Sequence, residues 1–238
     1  MTTSERKPER PRRFYDSAAV APAGAGYGVE LDGRPVRTPG GKPLAVTTRR
    51  VADALAAEWQ AQETEIVPET MHLTRLVNTA IERVALTMDP VRRDIAAYAG
   101  HDLLCYRAGE PDSLVARQRE LWDPPLAWAG ERLGLRLALA EGIIAVDQPA
   151  ELEPAVIGEI ADLDAMALAG LHQAMTLTGS AVLALAVARA HLSADAAWAA
   201  AHVDEDHQIA VWGEDVEALA RRERRRAEFD AAALVLGA

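Results

Sequence analysis

Residues 27–46 read YGVELDGRPVRTPGGKPLAV, with apolar and polar residues alternating around Asp32-Gly33. Alternation with a period of two puts every second side chain on one face of a strand, and Asp-Gly accepts the positive φ angles of a tight turn. The stretch therefore predicts a β-hairpin turning at Asp32-Gly33. Pro39-Gly40-Gly41 is the next turn signal, after which residues 44–46 can return as a third strand. Beyond it the period becomes helical. Thr47 or Thr48 is placed to cap a helix whose Val51, Leu55 and Trp59 form an apolar stripe that can lie over the small sheet. After Pro68, the residues Leu73, Leu76, Val77, Ala80, Ile81 and Val84 make a second stripe, on a helix that either closes this unit or bridges to the next.

The rest of the chain reads as helix. Asp89-Pro90 and Asp123-Pro124 each set a capping side chain before a proline, a residue suited to the first helical turn, so both are expected to mark helix starts. Gly134 is expected to end the helix containing Trp128, and Leu135, Leu137 and Leu139 alternate towards Ile143-Ile144 as a short strand or extended crossing. From Pro154 onward the pattern is helical, broken at Gly179-Ser180, Ser193 and Trp212-Gly213. The expected fold is thus α+β: a small N-terminal antiparallel β-sheet or hairpin domain with helices, followed by a mainly α-helical domain. The expected organisation is a disordered tail over residues 1–12, the first domain over 13–88 and the second over 89–238.

Composition narrows the function. Of 238 residues, half are hydrophobic but only 5% are aromatic, so the core must be Ala, Leu and Val, which suits close-packed helices. A formal net charge of -11 argues against a nucleic-acid surface, where phosphate neutralisation supplies most of the affinity. The basic run at residues 221–226, broken only by Glu223, reads as one solvated helix face. Cys105 is the only cysteine, which excludes an internal disulfide and any CxxC motif and fits a reducing compartment. The opening MTTSERKPERPRRFYD resembles neither a signal nor a transit peptide. The apolar stretch at residues 181–188 is too short to span a membrane and reads as a buried helix.

Few constellations suggest chemistry. Gly24, Gly26 and Gly28 lead into a strand rather than from strand to helix, so they read as a flexible approach to the hairpin, not a phosphate loop. His101-Asp102, with His72 and His172 elsewhere, invites comparison with metal-dependent phosphohydrolases. His202 and His207 flank three acids, but five-residue spacing turns the two rings to different helix faces. Ser180 lacks a nucleophile elbow, and Cys105 sits in an apolar context that suggests burial.

The segment AAWAAAHVDEDHQIAVWGEDVEAL (residues 196–219) is more informative. At helical spacing Trp198, Glu205, Ile209 and Trp212 share one face, which sets a carboxylate on an aromatic stripe. Such a charge must find an internal cation, be protonated, or emerge where a partner compensates it. Asp204, Gln208 and Val211 fall on the adjoining face, and Asp206 can remain solvated.

At these residues the chain resembles the ATP synthase assembly chaperones that bind the α subunit of the F-type catalytic head, found in mitochondria and some bacteria. The matching motifs are LDGRPVRTPGGKPL (31–44), AAEWQAQ (56–62), VPETMHLTRLVNTAIERV (67–84), HDLLCYRA (101–108), WDPPLAW (122–128) and DEDHQIAVWG (204–213), in order and spread over most of the chain. The resemblance implies an N-terminal α+β and a C-terminal helical domain, no enzymatic turnover, no cofactor and no metal. It also implies a soluble bacterial protein of the cytoplasm, with eukaryotic relatives in the mitochondrial matrix, that inserts in no membrane and binds no nucleic acid. Its partner would be the free α subunit, held until the β subunit replaces it, through Glu205, Asp204, Gln208, Trp212 and Gly213. Two departures stand out: His207 replaces a more usual aromatic residue, and 217–220 read Glu-Ala-Leu-Ala where relatives tend to carry a His-Asp pair. The rivals are a metal-dependent phosphohydrolase using His101 and Asp102, and an adaptor for some other client.

Overall fold

The computed structural model describes residues 10–142 and 146–238. The chain divides into two compact units, the first ending at Asn78 and the second beginning at Thr79.

The first unit is built on a small antiparallel sheet. Strand β1 (Ala18–Ala23) pairs along the whole of β2 (Gly26–Leu31), while β3 (Arg34–Pro35) and β4 (Ala45–Val46) share the other edge of β2. Leu31 pairs with Arg34 across the expected turn, where Asp32 and Gly33 both adopt positive φ, 48° and 78°. The Asp32 carboxylate accepts hydrogen bonds from the backbone N–H groups of Ser17 (2.9 Å) and Asp16 (3.1 Å), which hold its pKa below the ordinary carboxylate range. The expected third strand is β4, with Tyr27 opposite Val46. Strand β1 was not expected: the glycines read as a flexible approach instead form its ordered turn into β2 and the start of β2 itself. A Cβ on Gly26 would stand 2.2 Å from the Val46 carbonyl oxygen, so β4 can cross there only because residue 26 is glycine.

Helix α1 (Arg49–Gln60) is capped by Thr48, whose side chain accepts from Val51 N, and buries Val51, Ala52, Leu55 and Ala56 against the sheet. Its Glu58 carboxylate accepts from the backbone of Leu73 and Thr74, both at 2.8 Å, thereby capping α2 (His72–Glu82). Buried Gln62 accepts from Val67 N at 2.7 Å and fixes the intervening loop. Residues 10–12, part of the expected tail, are tied down: Pro11 O accepts from Ile66 N, and the backbone of Arg12 pairs with that of Glu65 in an isolated antiparallel β-bridge. The Arg13 guanidinium donates to the carbonyls of Tyr15, Asp16, Gln60 and Gln62.

Among the described residues, the regular structure of the second unit is helical apart from one two-residue strand pair. Its helices are α3 (Met88–Ala99), α4 (Asp112–Leu133), α5 (Leu152–Glu159), α6 (Ala165–Thr178), α7 (Ala181–Ala188), α8 (Ala194–Ala201), α9 (Val203–Trp212) and α10 (Val216–Leu236). The pair is β5 (Tyr106–Arg107) parallel to β6 (Ala140–Glu141), so the extended crossing after Gly134 pairs just beyond Leu139; Ile143 and Ile144 lie outside the described residues. Helix α7 is the centre, buried from Ala181 to Val187 and packed by α3, α4, α6, α8 and α10. Among the described residues no helix is long and apolar enough to cross a membrane.

The two proline signals differ. Asp89-Pro90 lies in the first turn of α3, as expected, although Thr87 rather than Asp89 takes the cap position. Asp123-Pro124 is not a helix start: Pro124 and Pro125 sit inside α4, which begins at Asp112 after Pro111. Two missing N–H donors should weaken a helix interior. Tertiary contacts offset this, because Trp122 is fully buried and donates its Nε1–H to Ala200 O at 2.7 Å, while Asp123 pairs with Arg107 at 2.7 Å.

Candidate functional site

The face predicted from residues 196–219 is interrupted. α8 ends at Ala201, and His202 takes a non-helical conformation (φ -115°, ψ 20°) before α9 starts. Its Nδ1–H donates to Trp198 O at 2.8 Å, and its ring lies against the Trp198 indole with centroids 3.9 Å apart. Burial holds the His202 pKa below the usual histidine range, although the Trp198 carbonyl favours the protonated ring. The break separates Trp198 from the rest of the expected stripe: Trp198 is 6% exposed and packs on Phe229, whereas Trp212 is 85% exposed.

Glu205 and Trp212 nevertheless remain together on α9, seven residues and about two turns apart, hence on one side of it. Ile209, between them, is half-buried. Glu205 lines a cleft of about 350 Å³ with Leu103, Leu177, Gly179, Arg221, Arg222 and Arg225. Its carboxylate faces His202 Nε2 at 3.9 Å, and among the described residues no arginine comes within salt-bridge distance of it. The arginines nearby are engaged elsewhere: Arg222 pairs with Asp206 at 2.5 Å, so Asp206 is exposed but not simply solvated, and Arg225 donates to Leu177 O at 2.8 Å.

The other candidate residues divide by role. Asp204 accepts from Gln118 Nε2 at 2.7 Å, and the Oε1 of buried Gln118 in turn accepts from Ala108 N, so this acid ties α9 to α4. Gln208 is exposed. Gly213 turns the chain at φ 87°, a conformation a side chain would strain, into α10, where the Asp215 side chain accepts from Glu217 N. Gln118 was not singled out by sequence, while His202 was weighed only as a metal ligand and Arg222 only as part of a basic run. Gln118 lies on α4 and Arg222 on α10, and tertiary packing brings both to α9, whereas His202 directly precedes that helix.

Asp102, one of the two residues named for the phosphohydrolase alternative, is committed to the core. Asp102 is fully buried, with Oδ1 accepting from Leu104 N (3.0 Å) and Ser180 Oγ (2.8 Å) and Oδ2 from Val182 N (2.9 Å). Burial pushes this carboxyl up against those hydrogen bonds, and the residue serves as a cap at the start of α7. His172 pairs with Asp94 at 2.7 Å, and among the described residues no group of three or more His, Cys, Asp or Glu is placed to hold a metal ion. Ser180 caps α7, and Cys105 is buried with its thiol pushed up to about 12, so neither is an activated nucleophile. The basic run is also accounted for in part: besides Arg222 and Arg225, Arg226 pairs with Asp195 and with Asp230 (2.7 Å) and lies 5.6 Å from the Trp198 ring centre.

The geometry thus sets Glu205 and Trp212 on one side of α9, with Asp204 tied to α4 and Gly213 turning the chain at the helix end. Residues 12–130 match the family model described as ATP12 chaperone protein. A candidate chaperone from Agrobacterium tumefaciens superposes with a TM-score of 0.88 at 46% identity, over 95% of this chain and 85% of that one. Atp12 from Paracoccus denitrificans superposes at 0.84 with 40% identity, over 95% and 97%, and so does its variant with one aspartate replaced by lysine. The mitochondrial protein atp12 of Schizosaccharomyces pombe is 22% identical over 214 residues, 85% of this chain and 74% of that protein. The chain belongs to the ATP12 chaperone family, whose members work in ATP synthase assembly.

Proposed function

We propose that this protein binds the unassembled α subunit of the F-type ATP synthase catalytic head and shields its interface until the β subunit takes its place, without catalysing a reaction. The cytoplasm of a bacterium is the compartment this reading implies. A subunit awaiting assembly exposes a large apolar surface that promotes aggregation, and a holder must cover it yet let go. The observation that carries the reading is α9 itself: a half-buried Glu205 with no arginine partner among the described residues, on the same side as an 85% exposed Trp212. Glu205 is a charge awaiting compensation by a client cation. Trp212 and Gln208 offer contact area and hydrogen bonding beside it. Asp204 and Gly213 fix the helix and its end.

Co-expression with the α subunit tests this. Glu205→Lys should cut the soluble α subunit several-fold while the variant keeps its helical content and melting temperature, because the residue is half-exposed and caps nothing. Unchanged soluble α subunit contradicts a client-facing Glu205. Loss of the variant's own fold together with its client points to a structural role instead.

A further inference from the structure

The bend between α9 and α10 carries three apolar side chains in the open: Val211 is 55% exposed, Trp212 85% and Val216 81%. They lie within six residues, two at the end of one helix and one at the start of the next, with the Gly213 turn between them. Single exposed apolar residues are ordinary. A tryptophan with most of its area in water between two exposed valines is instead the anchor type that dominates binding energy when it finds a pocket.

The surroundings specify that pocket. Residues 204–217 contain six carboxylates and no Lys or Arg, and of these Glu214, Asp215 and Glu217 are exposed around the apolar group. A second copy of this chain would bring the same acidic rim and a net charge of -11 against it, and an anionic lipid surface would repel it. We infer that the α9–α10 bend is a docking knob: Trp212, flanked by Val211 and Val216, enters an apolar pocket on the client whose rim carries arginine or lysine facing Glu214 and Glu217. This inference rests on the client-binding reading above and adds the chemistry of the surface that the client must present.

The two parts of the knob act on different rates. Burying an anchor slows dissociation, whereas rim charges steer encounter and are screened by salt. The test uses the full-length protein and the purified α subunit, with association and dissociation followed at low and high salt. Trp212→Ala should weaken binding about thirtyfold, mainly through faster dissociation. The double variant Glu214→Lys/Glu217→Lys should slow association about tenfold at low salt and much less at high salt. Wild-type binding combined with an unaltered Trp212→Ala variant overturns this inference alone and leaves the client reading standing. So does association that ignores the charge reversal, a wild-type dimer that Trp212→Ala dissociates, or a Trp212-dependent attachment to anionic vesicles. A wild-type protein that does not hold the α subunit at all overturns both.

Discussion

Trp198 and Trp212 stand fourteen residues apart on consecutive helices of one unit, and they have opposite surroundings. Trp198 packs its ring on Phe229, with centroids 5.4 Å apart, under the Arg226 guanidinium and beside His202. Trp212 meets mostly water. Similar residues in a similar helical pattern thus serve different ends, and the break at His202 is what separates them. Up to that break the chain builds a core; beyond it α9 projects side chains that the protein's own fold leaves uncovered.

Truncating each ring should expose the difference in surroundings most strongly. Trp198→Ala should cost about 3–5 kcal/mol of unfolding free energy, by loss of buried area and creation of a cavity. Trp212→Ala should change it by less than about 0.5 kcal/mol, as exposed substitutions usually do. Urea denaturation of both variants decides, and equal losses would mean that Trp212 is a core residue after all.

A smaller effect probes the hinge between them. Burial lowers the His202 pKa in the folded protein, so the unfolded chain binds more protons once pH falls below the free-histidine value of about 6.5. The stability that neutral His202 contributes is present above that value and is lost as pH drops towards the folded pKa. The groups acting on the ring are Arg222 and Arg225, which disfavour its charge, and Glu205 and the Trp198 carbonyl, which favour it. His202→Gln should therefore flatten the decline in melting temperature between about pH 6.5 and 5 relative to wild type. An unchanged slope would assign the pH response to other groups.

How much of this was readable from the residues alone varies by region, for physical reasons. The Asp32-Gly33 hairpin, the Thr48 cap and the Gly179-Ser180 junction were legible because each depends on local backbone chemistry written in two or three residues. Strand β1 was not, since AAVAPA has too little contrast between its faces to show a period. Pro124-Pro125 misled because burial of Trp122 outweighs a local helix breaker. The break at His202 has no glycine or proline to announce it and arises from packing. For the candidate surface, the residues of α9 were legible as a set. The tie of Asp204 to Gln118, the separation of Trp198 from Trp212 and the exposure of Val216 depend on distant chain segments.

In the proposed function this protein covers the α subunit on a surface that the β subunit later takes over. The most direct measurement mixes the purified protein with unassembled α subunit, isolates the complex by gel filtration, and then adds β subunit. A one-to-one complex should form, and β should drive this protein back to its free elution position as an αβ species appears. A stable three-component species, or no complex before β is added, would contradict the account.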